Sequence, residues 1–119
     1  MEFIIHRAGK NTIAELKSDK QLINNLQDGV DLLANASYND AAIVALKKEN
    51  LHPGFFELRT GLAGEILQKF SNYRMQLAIL GDFSMYKSKA LRDFIYESNK
   101  AGRILFLSSM EDVLQNFSA

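Results

Sequence analysis

Ala41-Ala42-Ile43-Val44-Ala45-Leu46 is an unbroken apolar run that lacks the alternation of a half-exposed strand. So short a run fits a strand buried on both faces, the pattern of a parallel sheet covered on either side by helices. Met75-Gln76-Leu77-Ala78-Ile79-Leu80, closed by Gly81-Asp82, reads as a second such strand. Ile104-Leu105-Phe106-Leu107 reads as a third. Ile43, Val44, Leu77, Ile79, Leu105 and Phe106 are the expected core of the sheet.

The intervening segments have helical period. Leu26 to about Ser37 places Leu26, Val30, Leu33 and Ala34 on one face, with Asn25 or Asn24 available as the cap. Gly29 costs this helix about 1 kcal/mol of propensity. Leu62, Ile66, Phe70 and Tyr73 form the apolar stripe of a helix that begins near Thr60, while Glu65, Gln68 and Asn72 face away. A helix from Lys89 to about Asn99 buries Leu91, Phe94, Ile95 and Ser98 and ends at Ala101-Gly102. Ser108-Ser109-Met110-Glu111 has the Ser-x-x-Glu form of a capping box and opens a last helix with Val113, Leu114 and Phe117 inward.

Ahead of the first helix, Phe3-Ile4-Ile5-His6 and Thr12–Leu16 flank the turn Ala8-Gly9-Lys10-Asn11, which predicts a β-hairpin. Residues 18–25 read as a polar connector. The order is β-β-α-β-α-β-α-β-α: one α/β domain over residues 1–119, with a hairpin followed by a mostly parallel sheet and right-handed crossovers.

Composition narrows the function. The 119 residues carry 14 Lys+Arg and 14 Asp+Glu, so the net charge is zero. A nucleic-acid binder needs a basic surplus to displace counterions, and a polybasic membrane anchor needs one too. Neither is expected. A chain without Cys has no disulfide, thiolate zinc site or cysteine nucleophile. His6 and His52 lie far apart in sequence, so no metal site is expected. The apolar runs fall well short of the ~18 residues of a membrane span. Met1-Glu2-Phe3-Ile4-Ile5 reads as a strand and not a signal peptide, so the expected location is the cytoplasm.

Ligands of open α/β sheets collect at the carboxyl ends of the strands. The segments Lys47–Arg59, Gly81–Ser88 and Ser108–Ser109 should meet there. Thr60-Gly61-Leu62-Ala63-Gly64 is the most unusual of the local patterns, because two glycines in a first helical turn cost stability. Thr60 suits a helix cap, and the glycines suit close backbone approach. Asp82 suits a loop carboxylate that binds backbone amides near Ser84. Glu65, Arg74, Asp82, Arg92 and Glu97 are candidates for an ion-pair network. Lys87, Lys89, Arg92, Lys100 and Arg103 read as a solvated basic face. The phosphate-loop fingerprints and the Gly-x-Ser-x-Gly elbow are absent, and Ser84 and Ser88 have no evident base partner.

Placed after a buried strand, Phe55–Phe70 resembles the Ser-Gly-Leu-Gly helix start of STAS domains, the fold of bacterial anti-sigma-factor antagonists, and the element order is similar. In those antagonists a partner kinase phosphorylates the hydroxyl residue before the Gly, which controls docking. The resemblance puts Thr60 in that place, followed by Gly61 and Leu62. The antagonists carry Asp two residues before the acceptor; Leu58 stands there in this chain, with Glu57 one residue further back. The whole chain more closely resembles an uncharacterised, mainly bacterial family, the domain-of-unknown-function 4180 group. The residues that carry this are Phe56–Tyr73, Gly81-Asp82-Phe83-Ser84 and Asp93-Phe94-Ile95-Tyr96-Glu97-Ser98-Asn99. That resemblance supplies no established activity.

The expectation is therefore a non-enzymatic, STAS-like regulatory or interaction domain without catalytic residues or cofactor. It would dock a partner protein through Phe55, Phe56, Glu57, Arg59, Gly61 and Gly64 together with Asp82, Ser84 and Tyr86, with Thr60 as the candidate phospho-acceptor. Pro53-Gly54-Phe55-Phe56 would supply a partly exposed aromatic anchor; the alternative is that Phe55 and Phe56 fill the core beneath the loop, and at least one of the two is expected to be buried. A homodimer stays open. The rival is a small-ligand binder or enzyme using Thr60, Asp82, Ser84 and Tyr86. A deep polar pocket at the strand ends would favour the rival, and a filled, shallow face would favour docking.

Overall fold

The structure, a computed structural model, describes residues 1–118. Its elements are β1 (Phe3–Ala8), β2 (Asn11–Leu16), α1 (Leu26–Tyr38), β3 (Ile43–Lys47), α2 (Leu62–Asn72), β4 (Gln76–Leu80), α3 (Lys89–Ala101), β5 (Ile104–Leu107) and α4 (Met110–Asn116). This is the element order expected from the sequence, in a mixed α/β domain. Three tight helical turns, Lys48–Asn50, Pro53–Phe56 and Leu58–Thr60, fill the connection from β3 to α2. No helix among the described residues is long and apolar enough to cross a membrane.

β1 and β2 pair antiparallel around Gly9-Lys10. Gly9 has φ 60°, as the first position of a type II′ hairpin loop requires. The remaining neighbours are parallel, and the sheet runs β1-β2-β3-β4-β5. Because spatial order follows chain order, right-handed crossovers return on one side each time. Ala14, Leu16, Val44, Leu46, Leu77, Ile79 and Phe106 accordingly pack with residues of α1, α2 and α3. The alternate positions Ile13, Ile43, Ala45, Ala78, Leu80 and Leu105 face the other way and pack on Val113 of α4. Asn11 Nδ2 donates to the Phe117 carbonyl at 3.1 Å, which holds the end of α4 across the sheet. Coverage on both faces explains the unalternating strands, and the six expected core residues are all buried.

Several local expectations are corrected. The buried face of α1 is Gly29, Leu32, Leu33 and Ala36, while Ala34 is exposed. The helix is turned because Ile66 of α2 packs against Gly29. Helix α2 starts at Leu62, not near Thr60, and Tyr73 is its exposed C-cap residue instead of part of the stripe. Ser109, not Ser108, caps α4: its hydroxyl accepts from the Asp112 N–H, one residue later than the Ser-x-x-Glu pattern placed the cap. The 18–25 connector is not simply polar, since Ile23 is fully buried and forms a parallel bridge to Leu51.

Candidate functional site

The carboxyl ends of β3 and β4 lead into two segments that lock together. Asn50, the one buried polar residue of the described chain, sets the first. Its Oδ1 accepts from Lys47 N at 2.8 Å, and its Nδ2 donates to the carbonyls of Ser18 and Lys20, each at 2.9 Å. The turn so fixed aims Lys48 over the second segment. Lys48 Nζ donates to the Asp82 carbonyl at 2.7 Å, meets Met85 Sδ at 3.1 Å and lies 5.6 Å from the Tyr86 ring centroid. Gly81 gives this side chain its path, because a Cβ there would stand 2.8 Å from Lys48 Cδ.

Asp82 Oδ1 accepts from the Ser84 hydroxyl at 2.6 Å and from Ser84 N at 3.0 Å. These bonds, the hydroxyl first, hold the carboxyl below the usual carboxylate range. Asp82 therefore has the turn-closing role expected of it.

Beneath the loop lies a stack of rings. Tyr86 is parallel to Phe56 at 5.0 Å, Phe83 lies 6.2 Å from Phe56, and Phe83 meets Phe106 edge-on at 5.2 Å. Burial, with a smaller contribution from the Glu49 charge, pushes the Tyr86 phenol above its ordinary value. Phe55 and Phe56 are 1% and 7% exposed, so neither is the partly exposed anchor that the sequence suggested. Adjacent aromatics on a tight turn both point inward because the second fills the gap under Tyr86. The exposed apolar side chain here is Met85, at 65%.

Thr60 is exposed and closes the turn that precedes α2. Its hydroxyl donates to the Gly54 carbonyl at 2.7 Å and accepts from Leu62 N at 3.3 Å. It thus satisfies the first amide of the helix from one position outside the N-cap, which is Gly61 and not Thr60 as expected. Gly61 has φ 79° and is needed for that left-handed geometry. Gly64 is exposed, and a Cβ on it would meet nothing within 4 Å, so close packing is not its reason. Glu57 and Arg59 are exposed on the same turn.

The structure thus joins Phe56 to Tyr86 and Asp82 to Ser84, while Thr60 is spent on Gly54 and Leu62. The five-residue ion-pair network does not form: the ion pairs among the described residues are Lys47–Asp19 and Lys89–Asp93, and His6 Nε2 lies 2.7 Å from Glu15 Oε1 as a hydrogen-bond partner. Among the described residues no group of three His, Asp or Glu is placed to hold a metal ion. Sequence reasoning missed Lys48, Asn50 and Met85. Asn50 had a signal, as a lone amide soon after a buried strand, but Lys48 and Met85 had none.

No curated protein and no solved structure matches the chain. A family model matches residues 8–117, nearly the full length, and the chain belongs to that family, described as domain of unknown function (DUF4180).

Proposed function

We propose that the chain is a non-enzymatic regulatory domain of the cytoplasm that docks a partner protein through the surface at the carboxyl ends of its parallel strands. The supporting observation is that this end is filled. The Phe56, Phe83 and Tyr86 rings occupy the place where a ligand cleft would lie, and Met85 stands exposed above them. A flexible thioether on an aromatic base, rimmed by the charged Lys48 and Asp82, suits a protein contact. Phe55 and Phe56 support this face from below, Ser84 and Tyr86 belong to it, and Glu57 and Arg59 are exposed on the turn that follows Phe56.

Thr60 is the place for a switch. Phosphorylation would add about two negative charges beside the start of α2, a tolerated site for an anion, and would end the donation to Gly54. The fold would survive while the docking face changed its charge. The test is affinity capture with the wild-type chain, Met85→Asp and Thr60→Glu, each with its melting temperature. Met85→Asp should melt like the wild type, Thr60→Glu should melt no lower than Thr60→Ala, which lacks the same hydroxyl bonds, and both should lose a protein that the wild type captures. A partner held equally by Met85→Asp would overturn the assigned face, and one held equally by Thr60→Glu would overturn the switch.

A further inference from the structure

A second feature lies along the other flank of α2. A cleft of about 570 Å³ runs between α2 and α3 over the starts of β4 and β5. Leu67, Met75, Phe94 and Ile104 line it, the range of size and apolar character common to small-molecule sites. Arg74 and Arg103 also line it, both beside Ser71. Arg103 Nη1 donates to Ser71 Oγ at 3.1 Å, and neither arginine is in an ion pair among the described residues.

Two residues of this cleft break local rules without a packing reason. Arg74 has φ 56°, in the left-handed position that ends α2, where Arg74 N donates to the Ser71 carbonyl and Met75 N to that of Phe70. Glycine is the favoured residue there, and a side chain is strained. α3 ends in the expected way, with Gly102 at φ 83°, and α1 ends through the same bonds on Asp40 at φ 60°, a short polar residue that adopts this conformation more readily than arginine. Gly64 is the converse: a glycine at an exposed position inside a helix, with open space where its Cβ would be. Ala would favour the helix more. The pair thus forgoes stability twice, once to keep a guanidinium at the cleft and once to keep its wall open. Sites where local preference is overridden without structural gain are where binding is expected.

We propose that the cleft binds an amphiphilic organic anion, with its carboxylate or phosphate between Arg74 and Arg103 and its apolar body on Leu67, Met75, Phe94 and Ile104. Planar guanidinium groups suit both headgroups. This site is separate from the docking face and does not depend on it.

The experiment is an amide NMR titration of the whole chain with decanoate and with decyl phosphate below their micelle concentrations. Decyltrimethylammonium and inorganic phosphate serve as comparisons. The anionic amphiphiles should give saturable shifts at Leu67, Ser71, Met75 and Ile104, and their ratio tells which headgroup is preferred. The cationic amphiphile should bind at least about tenfold more weakly, as should inorganic phosphate. Arg74→Gly relieves the backbone strain, so it should melt at or above the wild-type temperature and yet bind about tenfold more weakly, ~1.4 kcal/mol. Gly64→Ala should melt higher and bind more weakly as well. Absence of saturable shifts, equal binding of the cationic amphiphile or of inorganic phosphate, or wild-type affinity in Arg74→Gly would each overturn the proposal.

Discussion

A Cβ built on Gly29 would lie 3.0 Å from Ile66 Cγ1 and 3.3 Å from both Cδ1 and Cγ2, so α1 and α2 meet at a contact sized for glycine. Ile66 is 2% exposed and has little room to yield. Gly29→Ala should therefore destabilise the fold by about 1 kcal/mol, since overpacking outweighs the ~1 kcal/mol of helix propensity gained. In an Ile66→Ala background the same change should become stabilising, because propensity then acts alone. A denaturant-unfolding double-mutant cycle reads this reversal of sign.

Asn50→Ala should cost about 3 kcal/mol or more, as much as a large core cavity. It removes three hydrogen bonds and leaves the Lys47 amide and two carbonyls of the 18–20 segment without that partner. Equilibrium denaturation that finds a loss below ~1 kcal/mol would mean that water replaces the amide and that the tie is not needed.

Thr60→Ala should cost ~0.5–2 kcal/mol, the usual range for a lost capping hydroxyl. Thr60→Ser keeps the donor to Gly54 and the acceptor for Leu62 and should be nearly neutral. Thermal melts of the three proteins suffice, and a serine variant as unstable as the alanine one would assign the effect to the methyl group instead.

Acid sensitivity should depend in part on Asp82. Its folded pKa lies below the ordinary 3.8 through the Ser84 bonds. The unfolded state then binds the proton more tightly, so this contribution is present above the ordinary value and is lost as pH falls through the folded one. Asp82→Asn should flatten the fall of melting temperature with pH below about pH 4, relative to the wild type, and leave its slope near neutrality unchanged. An unchanged acid profile would show that the turn contributes nothing to folding.

The element order was legible in the sequence because it depends on local period. Ile43–Leu46, Leu77–Leu80 and Ile104–Leu107 lack alternation, and the segments between them repeat at helical spacing. Asn25 at a helix start and Gly102 at a helix end follow from chemistry within one turn, while the cap of α4 fell one residue later than its Ser-x-x-Glu pattern. Thr60 and the Asp82–Ser84 turn were legible for the same reason, because their partners lie a few residues away.

Tertiary structure alone decided which faces are buried and what the surfaces are made of. The buried side of α1 depends on Ile66, 37 positions beyond Gly29, and a glycine carries no apolar signal of its own. Phe56 is covered by Tyr86, which arrives from another loop, and Phe55 packs edge-on against Phe56 in the core. Lys48 reaches Asp82 and Met85 only because β3 and β4 pair side by side. The cleft that joins Arg74 to Arg103 likewise needs two helices set apart over neighbouring strands. Backbone preference and period act over a few residues and are written in the chain. Contacts between distant segments depend on how the faces close on one another, and only the assembled fold supplies them.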